Sequence, residues 1–378
     1  MSDAFLSTLA RKAELREAAG LRRALRHREP DEPMLDLAGN DYLGLARNAQ
    51  VLDAATRALR EYGLGATGSR LVRGSTVEHE KLERELAHLL NFDEALVYSS
   101  GYMANLGAIR ALARPDTVFV LDAHAHASLI DGCRLAGVRT ITARHNNLDD
   151  YERILAEKGH DAVVVTESVF SVDGDIAPLR ELHALCTRFD VALLVDDAHA
   201  LGVIGPGGAV RECGLAGKAN IVVTATLSKA LGAAGGVIAA HQTFIRHLVD
   251  TSRTFLYDTA LSPSVAAGAR AALHIITERG DQLRTELHER AAFAHQVFTS
   301  AGLDVTSPAA GVLSIAAPSA DAAVIWARSC GNAGVAVGCF RPPSTPDRRS
   351  RLRITINVGL RADDFRKAVS VVCDARPS

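Results

Sequence analysis

Lys229 follows the apolar, β-branched run Ile221-Val222-Val223-Thr224 and stands in the stretch TATLSKALGAAGG, among residues that are nearly all small. Burial disfavours an ammonium ion, so a lysine at the rim of a buried strand tends toward a neutral, nucleophilic amine. Such an amine can form a Schiff base with an aldehyde. Other strand-like runs also end in reactive residues: VALLV in Asp196-Asp197-Ala198-His199, DAVVVTES in Phe170-Ser171, and EALVY in Ser99-Ser100-Gly101-Tyr102. An acid that ends a buried strand must be paired, hydrogen-bonded or neutralised. Asp196 therefore reads either as a helix cap or salt bridge, or as a carboxylate facing a protonated pyridine nitrogen. The second reading would hold pyridoxal phosphate as an electron sink.

SSGYMAN offers hydroxyls and a glycine ahead of a helix predicted to begin near Tyr102, and the amides of a helix start bind phosphate. Thr226 and Ser228 flank the lysine and either add phosphate contacts or satisfy local backbone. The glycines after Lys229 allow a ring to approach the backbone or helices to pack tightly. In AHAHASLIDG, His124 and His126 have the closeness of a metal pair, but no third ligand stands at a familiar spacing. A ring-stacking imidazole or a satisfied core histidine explains His126 as well. His199, three residues after Asp196, reads as a partner of the cofactor's phenolic oxygen or as an ordinary helix-start histidine. Together these residues supply an amine, a pyridinium partner, a phosphate cradle and imidazoles, with no metal.

These groups need a scaffold that brings strand ends together. From DEALVYS onward the chain alternates strand-like runs (DTVFVLD, RTITAR, DAVVVTES, VALLVDD, NIVVTAT, GGVIAA) with helical or loop segments. VALLV has no period of two, as befits a strand buried on both faces, and the alternation predicts an α/β domain around a mostly parallel sheet. Ligands of such sheets sit beyond the carboxyl ends of the strands. Ahead of the alternation, TVEHEKLERELAHLLNF puts Val77, Leu82, Leu86, Leu89 and Leu90 on one helical stripe. The pattern divides into an N-terminal helix and extended segment (1–45), a large α/β domain (46–265) and a smaller C-terminal α+β domain (266–378). The N-terminal helix is expected to run through LSTLARKAELREAAGLRRALRH. A formal net charge of -2 gives no pull toward nucleic acid or an anionic membrane. Six cysteines without Cys-x-x-Cys spacing fit reduced thiols in a cytoplasm.

The motifs NDYLGL, GLGATGSRLVRGS, SSGYMAN, HASLIDG, SVFSVDGDIAPL, VDDAHALGVIG, TLSKALGAAGG and RLRIT occur in this order from about residue 20 to 360. They resemble the α-oxoamine synthases, pyridoxal-phosphate enzymes of aminotransferase fold type I. The resemblance implies that Lys229 bonds the cofactor and moves the substrate Cα proton, and that Asp196 meets the pyridine nitrogen. His199 and Ser171 would reach the phenolic oxygen and His126 would stack on the ring. Gly101 and Tyr102 would lie beside the cofactor, and Thr226 would touch its phosphate. Arg353 would grip the amino-acid carboxylate, with Asn40 lining the substrate site and Arg22 meeting the acyl group. The resemblance also implies a homodimer with active sites at its interface. CFRPPSTPDRRSRLRIT is similar to the branch of the family that condenses L-alanine with a pimeloyl thioester in biotin synthesis, where Ser344 replaces a usual threonine. The glycine loop is equally similar to the branch that uses glycine and acetyl-CoA. A catalytically silent binding subunit is a third reading, opposed by the presence of Lys229.

Overall fold

Continuous apolar runs of β-branched residues, with no polar alternation, have only one comfortable place: inside a sheet covered on both faces. The structure, a computed structural model describing residues 2–23, 25–342, 344–345 and 347–377, puts them there. After the short β1 (Leu35–Leu37) come β2 (Glu94–Tyr98), β3 (Val118–Asp122), β4 (Arg139–Ala143) and β5 (Ala162–Glu167). They are followed by β6 (Ala192–Asp196), β7 (Ile221–Thr226) and β8 (Gly236–Ala240). Strands β2 to β8 form one sheet in the order β2-β8-β7-β6-β5-β3-β4, with β8 antiparallel to both neighbours and the remaining pairs parallel. This is the mostly parallel α/β sheet that the sequence predicts. All of β3, β5 and β7 is buried.

The later strands β9 (Val312–Ala316), β10 (Val335–Phe340) and β11 (Arg351–Thr355) make a second sheet, ordered β1-β10-β11-β9. β1 joins it through parallel pairing with β10, so the segment that leads to Asn40 is tied to the C-terminal part of the chain. The charge-rich stretch after residue 260 is one helix of 38 residues, Pro263–Ser300. Pro178 stands at the N-cap of the helix Leu179–Arg188 rather than inside its first turn.

Two local expectations are corrected. The N-terminal helix ends at Ala18, where Gly20 turns left-handed at a φ of 66° and the Leu21 amide closes back on the Arg16 carbonyl. A glycine adopts that conformation without a steric cost, so it stops the helix before Leu21. Val77, expected on the buried stripe of the helix Val77–Leu90, is 51% exposed. It occupies the first helical position, while His79 takes an inward place and bonds the Leu261 carbonyl at 2.8 Å. Among the described residues no helix is long and apolar enough to cross a membrane, and all six cysteines are free thiols.

Candidate active site

The carboxyl ends of β2, β5, β6 and β7 surround a cavity of about 190 Å³. Lys229, half-buried three residues beyond β7, lies on its wall between Ser228 and Ala230. Thr226 ends β7 and Asp196 ends β6; His199, one turn further along, also faces the cavity. Gly101 and Tyr102 open the helix Gly101–Leu112, and His126 caps the helix Ala127–Ala136.

Asp196 is satisfied as an acceptor. One of its oxygens receives the Ala198 amide at 3.0 Å and the other the Asn105 side-chain amide at 2.7 Å. Asn105 spends its second N–H on the Ser128 hydroxyl at 2.8 Å and accepts the Thr224 hydroxyl at 2.5 Å. Ser128 in turn meets His126 Nδ1 at 2.7 Å. A donated Ser128 proton places the His126 ring proton on Nε2. The His126 ring is held below the usual imidazole range by burial, against the pull of Asp196.

His199 is pinned through its other nitrogen. The Tyr42 hydroxyl lies 2.6 Å from His199 Nδ1 and has no other acceptor among the described residues, so it donates there and leaves the ring proton on Nε2. Burial drives His199 well below its ordinary value, and the Lys229 and Arg353 charges add to that. Burial likewise lowers the Lys229 ammonium, with Asp196 and Glu167 opposing it. A lysine and two imidazoles biased toward neutrality suit nucleophilic and proton-transfer work.

One corner of the cavity suits a phosphate. Ser100 caps the helix Gly101–Leu112 by accepting the Met103 amide at 3.2 Å, which leaves the first-turn amides of Gly101 and Tyr102 directed out of the helix end. A Cβ at Gly101 would stand 3.0 Å from the Thr226 Cβ, tighter than ordinary contact, so glycine lets the helix end close on β7. The Thr226 and Ser228 hydroxyls lie 2.8 Å apart at the same corner, with Thr226 also donating to the Gly235 carbonyl at 3.0 Å. Helix amides, two hydroxyls, an amine and a carboxylate across the cavity fit the donor and charge pattern of pyridoxal phosphate.

Ser171, Asn40 and Arg353 form a second cluster beside the cavity. The Arg353 guanidinium donates to the Ser171 carbonyl at 3.0 Å and to the Asn40 side-chain oxygen at 3.1 Å, and it lies 4.7 Å from the centre of the Phe340 ring. It is 7% exposed, its Nε has no partner, and no carboxylate among the described residues pairs with it. Ser171 is not on the wall of the Lys229 cavity; its amide donates to Glu167 at 3.2 Å. Arg22 and Ser344 stand apart from these groups, along a separate cavity of about 590 Å³ whose wall includes Phe340. There Arg22 pairs with Glu17 at 2.8 Å, and Arg23 donates to the Ser344 hydroxyl at 2.9 Å. Four polar residues of the site had no place in the sequence reading: Tyr42, Asn105, Ser128 and Glu167. Asn105 and Ser128 leave a faint signal, since each falls on the inward side of a helix otherwise lined by small or apolar residues.

The loop that carries Ser171 is braced from behind. His145 bridges Asp122 and Asp175 with 2.8 Å bonds from its two ring nitrogens, and stacks on His124 with ring centres 3.7 Å apart. Arg351 of β11 pairs with Asp173 of the same loop. Burial opposes the His145 charge, but bonds to the two aspartates outweigh it and raise the ring to about 9. The brace is therefore complete below the unfolded imidazole pKa near 6.5 and is lost as pH rises through about 9. In urea melts, His145→Gln should be less stable than the parent by about 1–2 kcal/mol at pH 6.5, with solvent screening included. The gap should close by pH 10; a gap of constant size would show that the imidazolium contributes nothing.

The sequence profile of the aminotransferase class I and II family matches residues 32–372. The 8-amino-7-oxononanoate synthase of Mycolicibacterium smegmatis is 47% identical over 380 residues, spanning 99% of this chain and 98% of that protein. A solved serine palmitoyltransferase from S. paucimobilis, with PLP and myriocin bound, superposes with a TM-score of 0.91 at 27% identity, over 98% of this chain and 97% of that one. The 8-amino-7-oxononanoate synthase of Francisella tularensis gives 0.79 at 26% identity, over 91% and 98% of the two chains.

Proposed function

We propose, from the premise that the chain belongs to the aminotransferase class I and II family and within it to the 8-amino-7-oxononanoate synthases, that it condenses L-alanine with a pimeloyl thioester. Carbon dioxide and the free thiol leave, and the product serves biotin synthesis. The enzyme is a pyridoxal-phosphate-dependent acyltransferase of fold type I. When bound, the cofactor supplies an electron sink for the pair left at the amino-acid Cα.

The remaining work falls to this chain's residues. Lys229 provides the amine that bonds the cofactor aldehyde; freed by the incoming amino acid, it takes the Cα proton, a task suited to an amine whose burial lowers its basicity. Asp196, fixed by Asn105 and Ala198, would face the ring nitrogen and favour its protonated form. His199, with its proton on Nε2, and Ser171 are assigned to the phenolic oxygen, and His126 to the ring face. Gly101, Tyr102, Thr226 and Ser228 would hold the phosphate end.

The observation that carries the amino-acid half is Arg353, a buried guanidinium that lacks a counter-ion and stands beside the lysine cavity. An amino-acid carboxylate supplies the missing charge, with Asn40 beside it. Arg22 and Ser344, on the neighbouring cavity past Phe340, are assigned to the acyl chain. The units 1–45, 46–265 and 266–378 are retained as the working division of the chain, with the first supplying β1 to the second sheet.

A homodimer with its active sites at the interface belongs to the same reading. Leu64, Leu71, Val72 and Tyr257 are 85%, 59%, 68% and 73% exposed on two loops that the Ala260 amide joins at the Gly68 carbonyl. A second copy of the chain would cover them. The free thiols support a cytoplasmic location.

The test is thiol release by the purified protein, run with pimeloyl-CoA and alanine beside acetyl-CoA and glycine, after sizing that should return the dimer. Pimeloyl-CoA with alanine should react at least tenfold faster, about 1.4 kcal/mol of discrimination. Faster turnover of the acetyl and glycine pair would replace this reading with a glycine acyltransferase.

A further inference from the structure

Asn105 lies on the wall of the Lys229 cavity, yet it has no N–H left to offer a ligand. It is 3% exposed, and its two N–H groups are engaged, one by Asp196 at 2.7 Å and the other by the Ser128 hydroxyl at 2.8 Å. Its oxygen takes the Thr224 hydroxyl at 2.5 Å. Thr224 is not part of the wall. It stands on β7 in register with Asp196 on β6, and register partners of adjacent parallel strands project to the same face. There the helix Gly101–Leu112, which carries Asn105, packs against β7. The fold thus sets one amide between a carboxylate, a serine and a threonine, all of them buried.

These bonds can run in only one direction. A side-chain amide has donors at one end and an acceptor at the other. Turned over, Asn105 would set its oxygen against the Asp196 carboxylate, so Asp196 and Thr224 agree on one orientation. In that orientation Asp196 is an acceptor, which favours its charged form. The Ser128 hydroxyl, having accepted from Asn105, keeps its own proton for His126 Nδ1 at 2.7 Å. The Ser128 amide donates to the same nitrogen at 3.2 Å. Two donors that converge on Nδ1 leave the ring proton on Nε2.

We propose that Asn105 is a positioning residue, locked by Thr224, whose one amide sets both groups assigned to the cofactor ring: Asp196 as a charged acceptor for the ring nitrogen, and His126 as the Nε2–H tautomer. This inference rests on the assignment of those two groups to pyridoxal phosphate and not on the choice of acyl donor. It makes the strength of the electron sink depend on a hydroxyl behind the cavity wall, because the ring accepts electrons best when its nitrogen is protonated. Neither Asn105 nor Thr224 needs to touch the cofactor to do so.

The test uses the full chain with ¹⁵N-labelled histidine, before and after loading with pyridoxal phosphate that carries ¹⁵N in its ring. Before loading, the His126 signals, identified by their loss in His126→Asn, should report the Nε2–H tautomer in the parent. After loading, the ring-nitrogen signal should be that of a pyridinium. Asn105→Leu, close in volume and without donors, should mix the two His126 tautomers and move the ring-nitrogen signal toward neutral pyridine. It should also slow deuterium exchange at the alanine Cα about tenfold, the effect of one unit in ring-nitrogen basicity. Thr224→Val should shift both signals the same way by a smaller amount, and Thr224→Ser, which keeps the hydroxyl, should give the parent signals. Thr224→Val hardly changes volume, so it carries the test alone should Asn105→Leu fail to fold. An Nδ1–H tautomer in the parent, or parent signals in folded Asn105→Leu or Thr224→Val, would overturn the proposal and leave Asn105 a packing residue. Equal shifts in Thr224→Val and Thr224→Ser would overturn the lock. None of these measurements needs a thioester, so failure of the condensation reading would show separately, as absent thiol release beside intact spectra.

Discussion

Lys229→Ala should take up pyridoxal phosphate without a covalent bond and release CoA about 10²–10⁴-fold more slowly than the parent, the span expected for loss of a positioned acid–base group. The turn that carries the lysine does not depend on its side chain. The Leu227 amide bonds the Gly235 carbonyl and the Ala233 amide bonds the Leu227 carbonyl, both at 3.0 Å; the Gly232 amide closes on the Lys229 carbonyl at 2.8 Å. Deleting three methylenes and an amine from a cavity wall therefore leaves these backbone bonds in place. The variant should unfold at a denaturant concentration close to that of the parent. Borohydride reduction followed by peptide mapping should label the peptide containing residue 229 in the parent and nothing in the variant. A label at another lysine, or steady-state turnover within tenfold of the parent, would remove Lys229 from its assigned role.

The strand ends were readable because of how a sheet buried on both faces writes itself into sequence. VFVLD and ALLVD are apolar until their last residue, and AVVVTE and IVVTAT are interrupted before theirs only by a threonine, so a terminal Asp or a following Ser-Lys breaks an otherwise clear pattern. The polar residues that orient those groups were not readable. Asn105 is an ordinary asparagine in a helix of alanines and glycine until tertiary packing sets it against Asp196 and Thr224. Glu167 ends its strand as Asp196 ends the next one, and nothing local says that one of its oxygens will be buried without a partner. Tyr42 meets His199 across 157 positions of chain, a distance that no periodicity spans. The N-terminal helix was read too long because its arginine-rich continuation has good helix formers on both sides of Gly20, and only the left-handed backbone there reveals the stop.

Arg353→Ala should raise the KM for alanine by about 10²–10³-fold while leaving cofactor attachment at Lys229 intact. The magnitude follows from removing one partner of a buried, hydrogen-bonded charge pair, which costs about 2–5 kcal/mol. The guanidinium is positioned before substrate arrives: β11 fixes its backbone between Gly338 of β10 and Ser314 of β9, Phe340 supports its plane, and the Ser171 and Asn40 oxygens hold its two terminal nitrogens. Burial already depresses its basicity, and only the Tyr42 phenol offsets this. An incoming carboxylate thus meets a cation whose desolvation was met on folding, so little further reorganisation opposes binding. Arg353→Lys restores the charge but not the fork and should recover only part of the loss. The measurement is an alanine titration followed by cofactor absorbance, which reads amino-acid binding without the acyl donor. If both variants titrate as the parent does, the uncompensated charge at residue 353 serves the packing of the two sheets, and the carboxylate is held elsewhere.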